Sequence, residues 1–157
     1  MKLYFKQKVL SFTQSTNIFD EFGNIMFTAE KELLSFGRRM HIYDNMNNEV
    51  GFVQQRLMHF MPRFSVYING QYIADVVREF TLFKHNYHIE GLNWKIDGDF
   101  FAHDYRITCG GQYIASIHKH WMTWGDSFEI DIAYQQDTVM ALAVIIAIDC
   151  VIDQSQN

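Results

Sequence analysis

Val139-Met-Ala-Leu-Ala-Val-Ile-Ile-Ala-Ile148 carries no polar side chain, and Asp149, Cys150, Val151, Ile152 and Asp153 follow it. Ala, Leu and Met favour helix over strand, and Asp137 and Thr138 stand where an N-cap and the positive end of a helix dipole favour a hydroxyl or a carboxylate. The run predicts a helix over about 137–151. A helix with no polar face must be covered on every side. An apolar run of about ten to fourteen residues reaches only ~15–21 Å, against ~30 Å of membrane hydrocarbon, so the cover must come from the rest of the chain.

Upstream of that run the chain reads as strands. Aromatics make up 16% of it, with 14 Phe and 8 Tyr, residue types that suit pleated surfaces, and Pro62 is the only proline. A weak internal repeat organises the first half. Asn17-Ile-Phe-Asp-Glu-Phe-Gly-Asn24, Leu33-Leu-Ser-Phe36 and Arg39-Met40 recur as His41-Ile-Tyr-Asp-Asn-Met-Asn-Asn48, Leu57-Met-His-Phe60 and Arg63-Phe64, an offset of 24 residues. A looser third copy starts at Ser65-Val-Tyr-Ile-Asn-Gly70 and reaches Phe83. Gln71-Tyr-Ile-Ala74 has its own echo in Gln112-Tyr-Ile-Ala115. Each unit reads as strand, polar turn, strand and aromatic anchor. Turns are expected at Asp20 to Asn24, Asp44 to Asn48, Asn69-Gly70, Asp97-Gly98 and Gly110-Gly111. Alternation in Phe64, Val66 and Ile68 against Arg63, Ser65 and Tyr67 predicts one buried and one wetter face. Copies that drift in length and turn chemistry argue for a closed antiparallel sheet over a solenoid. The expected architecture is mainly β, a single domain over 1–157 whose sheet encloses the C-terminal helix.

The formal net charge of −5, from 13 Lys and Arg against 18 Asp and Glu, supplies no field to gather phosphates, so nucleic acid is not an expected partner. Met1-Lys-Leu-Tyr-Phe-Lys-Gln-Lys8 lacks the apolar centre of a signal peptide, and Cys109 and Cys150 have no metal-ligand spacing, which together suggest reduced thiols in a cytoplasm.

Seven segments in order carry a family resemblance: Leu33-Leu-Ser-Phe-Gly37, His41-Ile-Tyr-Asp44, Val66-Tyr-Ile-Asn-Gly70, Ile89-Glu-Gly-Leu92, Gly98-Asp-Phe-Phe-Ala-His-Asp-Tyr105, Trp121-Met-Thr-Trp-Gly-Asp-Ser127 and Leu142-Ala-Val-Ile-Ile-Ala-Ile-Asp-Cys150. Together they resemble bacterial members of the LURP-one-related family over roughly Lys2 to Val151. The resemblance implies a fold similar to the tubby C-terminal domain and the phospholipid scramblases: an antiparallel barrel of about twelve strands threaded by a central hydrophobic C-terminal helix. It brings no catalytic residues and no cofactor. Tubby domains bind phosphoinositide headgroups and scramblases are linked to lipid movement, but a shared fold does not carry function. The acidic calcium-binding segment of scramblases has no match here.

Candidate sites remain. Asp149 and Asp153, one turn apart at the helix end where the dipole disfavours carboxylates, form either a polar site at one barrel mouth or an anchor to the surrounding strands. His118 and His120 share a strand face suited to a metal or an anionic headgroup, with His103 and Asp104 offering a further ligand, but no third residue is tied to these by spacing, so a solvated strand face is the expectation and no metal is expected. Arg38, Arg39, Lys84 and Lys119, with His85, Arg56 and Arg63, form either an anionic-headgroup patch or ordinary surface charge. Trp121 and Trp124 suit packing on the helix, with Gly125-Asp126 as the turn. Phosphate loops, nucleophile elbows and Cys-X-X-Cys pairs are absent. The expectation is a non-catalytic binding or scaffold domain that meets a protein or small ligand at its loops. The alternative is a peripheral membrane module that binds anionic phospholipid headgroups. With the interior occupied by a helix, any site lies on the rim or the outer wall.

Overall fold

A computed structural model of the chain describes residues 1–6, 14–82, 86–122 and 125–156. Twelve strands follow one another: β1 (Lys2–Phe5), β2 (Ser15–Phe19), β3 (Ile25–Lys31), β4 (Arg39–Asp44), β5 (Glu49–Gln55), β6 (Arg63–Ile68), β7 (Gln71–Arg78), β8 (Tyr87–Glu90), β9 (Trp94–Asp99), β10 (Asp104–Cys109), β11 (Gln112–Met122) and β12 (Gly125–Ile132). Every ladder is antiparallel, and β1 pairs with β12, so the two ends of the meander meet. The order β8-β7-β6-β5-β4-β3-β2-β1-β12-β11-β10-β9 leaves β8 and β9 as facing edges without a ladder. The expected antiparallel barrel is thus formed and is nearly closed. A filled interior sets the circumference, and rings occupy the last gap: Tyr87 meets Phe100 edge-on at 4.8 Å, and Phe100 lies 5.6 Å from Tyr105.

The helix α1 (Thr138–Gln156) runs back through the barrel, and its residues 141–152 are buried without exception. It lies closest to β5, β6 and β7, while Trp94, Ile96, Tyr105 and Ile107 belong to the same core from β9 and β10. Two details differ from the sequence reading. A 3-10 turn, Gln135–Asp137, precedes the helix, and the Thr138 hydroxyl donates to the Gln135 carbonyl at 2.7 Å, so the turn replaces a side-chain N-cap. At the other end nothing stops the helix at Val151: Ile152 is buried, and neither Gly nor Pro follows. At 19 residues α1 is long and apolar enough to cross a bilayer, so its covering by strands, and not its length, is what marks it as a core helix.

Cys150 is fully buried, and desolvation, reinforced by the neighbouring Asp149, pushes its thiol far above the usual range. Cys109 is half-buried at the end of β10. A chromogenic thiol reagent is expected to titrate one thiol per native chain and two in denaturant; two in the native state would contradict this packing.

The repeat is visible as geometry. Asp20 Oδ1 accepts from the amides of Phe22 and Asn24, and Asp44 Oδ1 accepts in the same way from Met46 and Asn48. Asn69 and Gly70, at φ 49° and 77°, make the two-residue hairpin turn, and Gly110-Gly111 makes another. Asp97-Gly98 is not a turn. Gly98 sits inside β9 at φ 138° because the β10 backbone approaches too closely for a side chain, and the chain turns at 100–103 instead. Gly125 and Asp126 belong to β12 and are not the expected turn; Trp124 lies outside the described residues. Ser65, expected on the wetter face, is buried, because its hydroxyl bonds Asp75 beneath an ion-pair network.

Candidate functional site

In an up-and-down meander every second connection returns to the same end. The connections after β3, β5 and β9 and the described part of that after β7 therefore share one mouth of the barrel, and the C-terminus of α1 emerges there, tied by Arg38 to Asp153 at 2.9 Å. A 24-residue repeat spans two strands. Its copies therefore place Leu33-Leu-Ser-Phe36 and Leu57-Met-His-Phe60 in adjacent loops at this mouth. These are not core anchors, as the sequence suggested. Leu34 is 100% exposed, Phe36 88%, Phe60 90%, and Met58 is fully exposed. Leu33, Leu57, Phe80, Leu82 and Phe101 are exposed in loops at the same mouth, and Phe60 and Phe80 bring their rings within 6.3 Å. Soluble monomers rarely expose so much contiguous apolar surface without a use for it.

The basic candidates are distributed around this rim. Arg38 Nη2 bonds Asp153 and its Nη1 reaches the Cys150 carbonyl, so it serves the helix end. Arg39 lies 3.5 Å from Glu32. Lys119, opposite Phe128 on β11, is separated from the two arginines by β3, β2, β1 and β12. Lys84, His85 and Phe83 lie outside the described residues. The single patch suggested by the sequence is thus not formed by Arg38, Arg39 and Lys119. Arg56, exposed beside Leu57, is a basic side chain next to the apolar tips. The turns 20–24, 44–48 and 133–137 at the far mouth carry Asp20, Glu21, Asp44 and Asp137 and neither Lys nor Arg, whereas the apolar mouth mixes Arg38 and Arg56 with Glu32, Glu79 and Asp153.

Asp149 and Asp153 do not form a joint site. Asp149 is buried 3.6 Å from His103 Nδ1, and His103 is held in the 100–103 turn with its ring edge against Phe128. That burial separates His103 from the strand-face pair. His118 bonds Asp104 at 2.6 Å on the outer wall. Among the described residues no group of three or more His, Cys, Asp or Glu is placed to hold a metal ion.

The sequence reading missed a network across β6, β7 and β8. Arg63 Nη1 lies 2.7 Å from Asp75 Oδ2 and 2.6 Å from Glu90 Oε2, and Ser65 donates to Asp75 Oδ1 at 2.5 Å. Hydrogen bonds from Arg63 and His88 hold the Glu90 carboxyl down to about 2. The signal available was Arg63 standing in the repeat register of Arg39, which also meets a carboxylate.

A nearly closed twelve-stranded antiparallel barrel with a buried C-terminal helix defines a tubby-like fold. A crystal structure of a protein from Arabidopsis thaliana superposes with a TM-score of 0.64 at 15% identity, covering 95% of this chain and 90% of that one. The LURP-one-related family model matches residues 1–149, and the chain belongs to that family. It is 32% identical over 157 residues to the uncharacterised protein YxjI of Bacillus subtilis (strain 168), with 100% of this chain and 97% of the relative covered.

Proposed function

We propose that this protein is a non-catalytic binding domain that docks peripherally on anionic membranes through the rim at the C-terminal end of its helix. The observation that supports this reading is the ring of exposed Leu, Phe and Met side chains on successive loops. Exposed apolar tips suit insertion among headgroups, and Arg56 behind them, with the acidic turns at the opposite mouth, orients the barrel towards negative charge. Full burial of a Leu or Phe contributes ~1.5–3 kcal/mol, so four partly inserted tips supply ~4–8 kcal/mol, enough for reversible attachment.

The test is co-sedimentation with vesicles of phosphatidylcholine, with and without phosphatidylglycerol, at low and physiological salt. Binding to the anionic vesicles is expected to weaken with salt and to fall at least tenfold in Leu34→Ser/Phe36→Ser/Phe60→Ser, with no loss of melting temperature because all three side chains are exposed. Arg56→Glu is the appropriate charge reversal, since Arg38→Glu would also release Asp153. Absence of vesicle binding under every condition would overturn this function and leave the rim to a protein partner.

A further inference from the structure

The geometry points to a second binding site, a groove beside the β1–β2 rung and reaching the β11–β12 ladder, that takes a single-chain amphiphile with an anionic head, of the fatty-acid class. It goes beyond the docking function, because the groove is a separate surface from the apolar tips. Among the described residues the ladder between β1 and β2 has one rung, Tyr4 with Phe19, whereas β12 on the other side of β1 is paired along Lys2 to Phe5. A register shift between Ile18 and Phe19 bends β2 at that point. A groove of about 450 Å³ lies beside this rung, lined from β1, from the end of β2 and the turn after it, and by His120 and Ser127 of the β11–β12 ladder.

Its walls are apolar, from Tyr4, Phe5 and Phe19. Phe5 is an inward residue, stacked on Phe128 at 5.3 Å, so the groove reaches between the strands towards the core. Its charge is graded along its length. Lys6 and His120 stand at the rim end, and both are exposed. Asp20 and Glu21 stand at the far end, where the Asp20 carboxylate is occupied by the amides of Phe22 and Asn24 and by the Asn24 side chain. Glu129, the acid on the adjoining strand, is paired with Lys2 at 2.7 Å and does not oppose an anion at Lys6.

An apolar trough with a cation at one end and closed turn chemistry at the other matches one ligand polarity: negative head at Lys6 and His120, alkyl tail running along Phe19. The groove spans about four residues of strand, or ~13 Å, which suits a tail of about ten to twelve carbons.

Titration of the full-length protein with dodecanoate below its micelle concentration, without vesicles and followed by amide chemical shifts, tests the site. Saturable one-to-one binding is expected, with shifts centred on Tyr4, Phe5, Lys6, Phe19 and His120. Lys6→Glu, an exposed position, should weaken dodecanoate about tenfold and the neutral 1-dodecanol less than twofold, which separates the charge from the chain. The Leu34→Ser/Phe36→Ser/Phe60→Ser protein should bind dodecanoate as the wild type does, so failure of the rim and failure of the groove are distinguishable. No saturable binding, shifts confined to the rim loops, or equal loss of both probes in Lys6→Glu would each overturn the assignment.

Discussion

Gly98→Ala is expected to cost about 3–5 kcal/mol, the sum of backbone strain and a clash that cannot relax. At φ 138° an L side chain is strained whatever the space around it. A Cβ at Gly98 would also lie 2.5 Å from the Asp104 carbonyl oxygen and 2.6 Å from Tyr105 Cα, both backbone atoms of the adjoining β10. The strands would have to part beside the Phe100–Tyr105 contact that fills the seam. Gly23→Ala is the control. Gly23 also has a positive φ, 84°, but a Cβ there meets nothing within 4 Å. Its cost should be only about 1–2 kcal/mol. Urea unfolding of the two variants should separate them clearly, and equal midpoints would show that the close approach of β9 to β10 is not as described.

Arg63→Met should destabilise the protein by about 2–3 kcal/mol. Removing one partner of a buried ion pair costs about 3–5 kcal/mol, and the figure is reduced here because Glu90 is close to half exposed and water screens it. Asp75 is nearly buried and would lose the guanidinium, keeping the hydroxyls of Ser65 and Tyr72 as side-chain hydrogen-bond partners. At ~2–4 °C per kcal/mol for a chain of this size, the melting temperature should fall by about 5–10 °C. The variant also changes the response to acid. The Glu90 carboxyl is held below its ordinary 4.5, at about 2. A depressed carboxyl contributes stability above its unfolded value, and that contribution is lost as pH falls from about 4.5 through about 2. Wild type should therefore weaken across that window, and Arg63→Met should show a shallower slope. Parallel acid curves for the two proteins would remove Glu90 from the account.

Much of the architecture was legible in the chain because it follows from local rules. An all-apolar helical run has to be covered, and the only material available to cover it was strand-forming. Asp-x-x-x-Asn and Asn-Gly turns build their own hydrogen bonds from residues within five positions, so they could be read without knowing their surroundings. The helix that begins near Thr138, the Asp20 and Asp44 turns and the Asn69-Gly70 hairpin are of this kind.

What depended on distant strands was not legible. Gly98 resembles any turn glycine until β10 is laid beside it. Ser65 occupies a nominally wet position and is buried by Asp75 and Arg63, ten residues ahead in the chain and two behind. Asp149 finds His103 across the barrel, with no spacing to announce the contact. The rim is the clearest case. Leu34, Phe36, Met58 and Phe60 have the composition of a core, and hydrophobicity records only how much a side chain gains by leaving water, not whether the fold lets it. The sequence by itself determined a helix in need of cover, a meander of strands to cover it, and a 24-residue period. Only the tertiary structure decided that this period returns the same side chains to one mouth, because a repeat of two antiparallel strands ends where it began.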